Sequence, residues 1–341
     1  MTRWPQTQPG RRLAAVALAG ALLAACSSSD EPTDTAAEEA AAGPTTASSE
    51  SPASTASSAS TESPASTADP CPVEPVEVVV SVDQWGDIVE ELAGECATVH
   101  TVIAGSSIDP HDYEPTSTDA LAFESARLVV VNGADYDPWA SDLAGNAADS
   151  LTVVDAGEVV GAAEGANPHL WYSPDYVTAV AGAVTDGLTA VSPDAADYFD
   201  DRAGVWSTGM EGYEGILASL SAGVDGQRYA ATESVFDYTA EAVGLEDATP
   251  DGFARAAANE SDPTPNDIAA FEQALRDGDI DLLIYNTQTE GSIPEQIRQV
   301  AEDAGVPVVE VTETVAPGAA SFEDWQVDQL QRLAEALSID V

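Results

Sequence analysis

The sequence predicts an α/β protein of two lobes, each a parallel sheet flanked by helices, bridged by one long helix. Three observations carry that expectation. Short apolar runs alternate with amphipathic stretches from Val76 to Ala156, a second such series runs from Gln227 to Ser338, and Ser192 to Gly223 between them repeats its apolar residues at helical spacing. Strands that alternate with helices form parallel sheets, because parallel neighbours are joined by crossovers that leave helices on the sheet faces.

In the first series "VEVVVSV" (76–82) reads as a strand buried on both faces, since it is almost all valine. The helix "QWGDIVEELAG", the strand "ATVHTVI", the helix "TSTDALAFESA" and the strand "RLVVVNG" follow, then a helix around Trp139 and the strand "LTVVDA". In the linking segment Ser192 suits an N-cap and Pro193 the first helical position, with Asp194 and Asp197 where the helix dipole favours acids. Tyr198, Val205, Tyr213, Ile216, Leu217 and Leu220 form its apolar stripe, while Gly204, Gly209, Gly212 and Gly215 weaken its helix propensity. The second series runs "QRYAATES", "FDYTAEAVGL", "TPNDIAAFEQALRDG", "DLLIYNTQ", "PEQIRQVAEDAG", "VPVVEVTE" and "SFEDWQVDQLQRLAEALS" as alternating strands and helices.

The expected organisation is a leader at 1–25, a tether at 26–70, a first lobe at 71–191, the linking helix at 192–223 and a second lobe at 224–341. Arg3, Arg11 and Arg12 precede the apolar stretch "LAAVALAGALLAA", which is too short to span a membrane comfortably and reads as an export signal. Leu23-Ala24-Ala25-Cys26 resembles a bacterial lipobox, which implies a lipid on Cys26 and a location outside the cytoplasmic membrane; a secreted chain cleaved nearby is the alternative. Residues 27–70 are almost all Ser, Thr, Ala, Pro, Glu and Asp, and cannot bury enough surface to offset chain entropy. Cys71 and Cys96 flank the first strand-helix unit of an exported chain, which favours a disulfide over metal binding because no Cys-x-x-Cys spacing is present.

Sixty acidic residues stand against ten arginines and no lysine, giving a net charge of −50. Such a surface repels nucleic acid and anionic lipid, suits a salty medium, and concentrates cations.

Open α/β sheets bind ligands outside the carboxyl ends of their strands. His111 follows "ATVHTVI", His169 lies in "NPHLWYSP" beyond "LTVVDA", Glu233 follows "RYAAT", and Glu313 follows "VPVVEVT". Two imidazoles and two carboxylates from four such loops make a donor set for a divalent cation. His100 sits inside a strand as a face residue and is excluded. Asn167 and Tyr172 are candidates to brace His169.

At these residues the sequence resembles the metal-binding solute receptors of ABC importers, the zinc and manganese receptor lipoproteins. "DPHDYEPT" and "NPHLWYSP" look like that family's two histidine motifs, "ATESVFDYTAEAVGL" is similar to its third motif, "SDPTPNDIAAFEQALRDGDIDLLIYNTQTE" to its next helix-strand unit, and "VPVVEVTETVAPG" to its last ligand loop. The resemblance implies a periplasmic-binding-protein-like fold with a helical backbone, and His111, His169, Glu233 and Glu313 as ligands of one transported ion. It also implies a monomer that serves a membrane ABC permease and is not an enzyme. The last ligand is usually Asp, so Glu290 is a substitute for Glu313. Two nitrogens and two carboxylates are a harder set than the three histidines of similar zinc receptors, which favours Mn²⁺, with Zn²⁺ close behind because it binds nitrogen and oxygen sites more tightly, and iron third. A metal-dependent hydrolase and a surface adhesin with a structural metal are the competing readings; neither His-Glu-x-x-His nor Gly-x-Ser-x-Gly occurs.

Overall fold

Valine-rich β1 (Val76–Val82) lies inside the first sheet, with Val78 opposite Val99 on one side and Leu128 on the other. The computed structural model describes residues 70–105, 113–147, 150–259, 261–289 and 291–341; the expected leader, Cys26, His111 and Glu290 lie outside the described residues. After β1 come α1 (Asp83–Ala93), β2 (Ala97–Ile103), α2 (Ser117–Ser125), β3 (Leu128–Val131), α3 (Pro138–Asn146), β4 (Thr152–Asp155), α4 (Ala156–Val160) and α5 (Pro174–Val191). The strands are parallel in the order β2-β1-β3-β4. Val78 to Val82 of β1 are buried, as are Trp85, Ile88, Val89 and Leu92 of α1, so strand and helix seal each other. Ser173 caps α5 by accepting from the N–H of Tyr176, with Pro174 at the first helical position. Cys71 and Cys96 form a disulfide that closes the β1–α1 unit.

The segment expected as one linking helix opens with a 3-10 turn, Pro193–Ala195, and continues as α6 (Ala196–Gly209) and α7 (Glu211–Gly223). Ser192 makes no side-chain cap. Met210 separates the two helices, yet its N–H donates to Trp206 and its carbonyl accepts from Glu214, both at 3.0 Å, so the helical track is carried across. The slackened turn falls beside Gly209 and Gly212, where helix propensity is weakest.

The second lobe comprises β5 (Arg228–Ala231), α8 (Asp237–Val243), β6 (Glu246–Asp247), α9 (Asp251–Ala257), α10 (Pro265–Asp277), β7 (Leu282–Asn286), α11 (Ser292–Ala304), β8 (Val308–Val311) and α12 (Phe322–Leu337). Its sheet is also parallel, in the order β6-β5-β7-β8. The exposed two-residue β6 was not expected from the sequence, because Glu246 and Asp247 supply no apolar run to signal a strand.

One hydrophobic core runs through both lobes, joining Trp85 and Trp171 of the first to Phe322, Trp325 and Leu330 of α12. A smaller cluster around Phe253, Phe271, Leu275 and Ile297 packs α9, α10 and α11 onto the second sheet. In each sheet the order reverses beside the first strand, between β1 and β3 and between β5 and β7. Those reversals part the crossover helices and open a crevice at the carboxyl ends of the strands.

Candidate metal centre

His169, Glu233 and Glu313 each place one donor atom within 4.8 Å of the others. His169 lies in the connection between α4 and α5, while Glu233 follows the end of β5 and Glu313 the end of β8. The first comes from one lobe and the other two from its partner lobe. His111 lies outside the described residues, as does Glu290. His100 is exposed on β2, opposite Val79, and takes no part.

His169 is 4% exposed, and a neighbouring amide fixes which ring nitrogen donates to it. Oδ1 of Asn167 accepts from the backbone N–H of His169 at 3.0 Å, while its Nδ2 donates to the carbonyl of Ser234 at 2.6 Å. A backbone N–H only donates and a carbonyl only accepts, so the amide has one allowed orientation. The same Oδ1 lies 2.7 Å from Nδ1 of the ring, so Nδ1 carries a proton, and in the neutral imidazole that ligates a metal Nε2 holds the lone pair. Nε2 is buried, has no hydrogen-bond partner among the described residues, and lies 3.7 Å from Oε1 of Glu313. A buried lone pair facing a carboxylate is unfavourable unless something positive lies between them. Trp171 and Tyr136 set their rings edge-on around the imidazole, with centroids 5.5 and 6.1 Å away, and hold its plane.

Glu313 is held from the opposite lobe. The Tyr136 hydroxyl donates to its Oε1 at 2.7 Å, and Gln84 Nε2 donates to its carbonyl at 3.0 Å. Burial, and then the charge of Glu313, push the Tyr136 hydroxyl well above its ordinary range, so it remains a donor. The turn that presents Tyr136 is strained at Ala134 and Asp135, whose φ angles are positive at 50° and 62°, while Gly133 takes its φ of 66° without steric cost. Glycine suits position 133, because its φ is positive and a Cβ there would meet Oδ1 of Asp155 at 2.1 Å and force that carboxylate to move. Asp137 secures the turn by accepting from the N–H groups of Asn132 and Gly133, both at 2.8 Å. From its own lobe, Gln288 Oε1 accepts from the N–H groups of Glu313 and Thr314.

Asn167 contacts the His169 ring as its place in the sequence suggested, whereas Tyr172 touches the histidine only through its backbone, its N–H donating to the carbonyl of His169 at 3.1 Å. Its hydroxyl donates to the carbonyl of Thr312 at 2.6 Å and meets Gln329 Oε1 at 2.9 Å, bracing the Glu313 loop instead. Tyr136, Gln84, Gln288, Asn286 and Thr289 escaped the sequence reading. The one available signal was polar residues directly after apolar strands, as in "LLIYNTQT".

A family model described as "Zinc-uptake complex component A periplasmic" matches residues 78–336. Among similar proteins, the manganese-binding lipoprotein MntA of Halalkalibacterium halodurans is 25% identical over 277 residues, covering 78% of this chain and 89% of that one. The manganese ABC transporter substrate-binding lipoprotein PsaA of Streptococcus pneumoniae is 23% identical over 286 residues, covering 77% and 89%. Among solved structures, the periplasmic zinc-binding protein TroA of Treponema pallidum superposes with a TM-score of 0.66 at 16% identity, covering 77% of this chain and 99% of that one. The solute-binding protein FpvC of Pseudomonas aeruginosa in complex with Mn²⁺ gives 0.64 at 18%, covering 78% and 99%. These two likenesses speak to the two-lobe fold. The match over residues 78–336 shows that the chain belongs to the periplasmic zinc-uptake component A (ZnuA) family, the substrate-binding proteins of metal ABC transporters rather than enzymes.

Proposed function

We propose that this protein captures one divalent transition-metal ion between its lobes, through His111, His169, Glu233 and Glu313, and delivers it to an ABC permease in the cytoplasmic membrane. The single observation that carries the reading is the buried Nε2 of His169, without a hydrogen-bond partner among the described residues and within reach of two carboxylates from the other lobe. Its tautomer is already the one that ligates. The leader at 1–25 is removed, Cys26 carries the lipid, residues 26–70 tether the receptor outside the membrane, and the receptor works as a monomer.

Mn²⁺ is the favoured cargo, on donor hardness and on the manganese proteins among its relatives, with Zn²⁺ binding the same site. Because Zn²⁺ binds nitrogen and oxygen donors more tightly, supply outside the cell then decides which ion is carried. The test is a competition titration of chelator-stripped protein with Mn²⁺ and Zn²⁺, repeated for His111→Ala, His169→Ala, Glu233→Ala and Glu313→Ala. One tight equivalent, lost in each variant, is the expected result. Weak, multiple and salt-sensitive binding would instead locate the cations on the acidic surface and remove the receptor reading.

A further inference from the structure

Among the described residues, the carboxylate of Glu233 is engaged on one side only. Its Oε2 accepts from Nδ2 of Asn286 at 2.8 Å and from the hydroxyl of Thr289 at 2.5 Å. Asn286 has no freedom to turn this contact around, because its Oδ1 accepts from the backbone N–H of Gln288 at 3.0 Å. Its NH₂ group must therefore face Glu233. Asn286 is also rigid: it is the last residue of β7, 1% exposed, and its own N–H reaches Oγ1 of Thr232 at 3.3 Å. Both donors lie at the end of β7, next to β5, where the second sheet reverses its strand order. Two donors fill the two lone pairs of Oε2, which leaves Oε1 as the oxygen able to meet an ion.

We propose that Asn286 and Thr289 clamp Glu233 into one-oxygen ligation and are the specificity-determining residues of the metal site. The inference rests on the receptor reading above. Held to one oxygen, Glu233 gives the ion one donor fewer than a two-oxygen grip would, and the smaller shell suits Zn²⁺, which four donors satisfy. Mn²⁺ prefers a larger, oxygen-rich shell and gains more than Zn²⁺ from a second oxygen of Glu233. The clamp thus holds the affinity gap between the two ions wide, and releasing it narrows the gap.

The experiment uses the full-length protein in detergent, stripped with chelator, as wild type, Thr289→Val and Thr289→Ser. Valine keeps the shape and removes the donor; serine keeps the hydroxyl. Two quantities are read: the ratio of Mn²⁺ to Zn²⁺ dissociation constants, and the visible absorption of bound Co²⁺, which is intense in four-coordinate sites and weak in larger shells. Wild type and Thr289→Ser should give intense Co²⁺ bands. Thr289→Val should weaken the bands and lower the ratio about tenfold, the size of one hydrogen bond to a charged group. Weak Co²⁺ bands in the wild type, or a Thr289→Val protein with unchanged bands and ratio, would overturn the clamp while leaving the receptor intact. Failure of the receptor reading looks different: the wild type would take up no single tight equivalent of any of the three ions.

Discussion

Replacing Glu91 with glutamine should stabilise the protein at alkaline pH and leave it unchanged in acid. Glu91 lies near the end of α1, close to Glu323 at the start of α12 and to Asp87 one turn earlier. Partial burial, then the charges of Glu323 and Asp87, push its carboxyl from an ordinary value of 4.5 up to about 7, and Arg202 only partly offsets them. Arg202 directs its Nε to the carbonyl of Glu91 at 2.7 Å, a bond the substitution leaves in place. The folded state therefore holds a proton on Glu91 more firmly than the unfolded chain does. The stability this contributes is complete below about pH 4.5 and is lost as pH rises through about 7. A displacement of this size corresponds to at most about 3 kcal/mol. Because the side chain is only half-buried, solvent screening reduces it to about 1 kcal/mol. That is about 2 °C in Tm for a chain of this size. Thermal melts of metal-free wild type and Glu91→Gln at about pH 4, below the ordinary carboxyl value, and at about pH 8, at one salt concentration, measure it. A gain of about 2 °C at the alkaline pH and none at the acid one is expected. Equal shifts at both pH values, or a loss at pH 8, would refute the argument that ionised Glu91 is held in an unfavourable field.

Asn167→Ala should weaken metal affinity by about 10- to 100-fold without changing stoichiometry, because nothing would then hold the proton on Nδ1 of His169 and aim Nε2 at the ion; isothermal titration reads it. Changing both Cys71 and Cys96 to serine opens a loop with a sequence separation of 25 residues and should lower stability by about 3 kcal/mol, seen as a lower denaturant midpoint.

Much of this protein was legible along the chain. Valine in β1 and the alternation of β2 and β3 with their helices report burial on both faces of a sheet, and burial at a fixed period is a property of neighbouring residues. For the same reason His169, Glu233 and Glu313 could be picked out, because a loop after a strand is placed by the strand. What the chain order does not carry is which buried polar atom meets which. Tyr136 reaches Glu313 across 177 positions, and Gln84 reaches it across 229. Asn286 and Thr289 load one oxygen of Glu233 from more than 50 positions away. Tyr172 stands three residues from His169 and bonds it through the backbone, yet its hydroxyl serves the Glu313 loop of the other lobe. A hydrogen bond is decided by the direction of a single lone pair over less than an ångström, and that direction exists only once both lobes have packed. Sequence by itself determined the two sheets, the helical link and the loops that bear donors. The tertiary structure alone decided the tautomer of His169, the lobe-to-lobe hold on Glu313 and the oxygen that Glu233 keeps available.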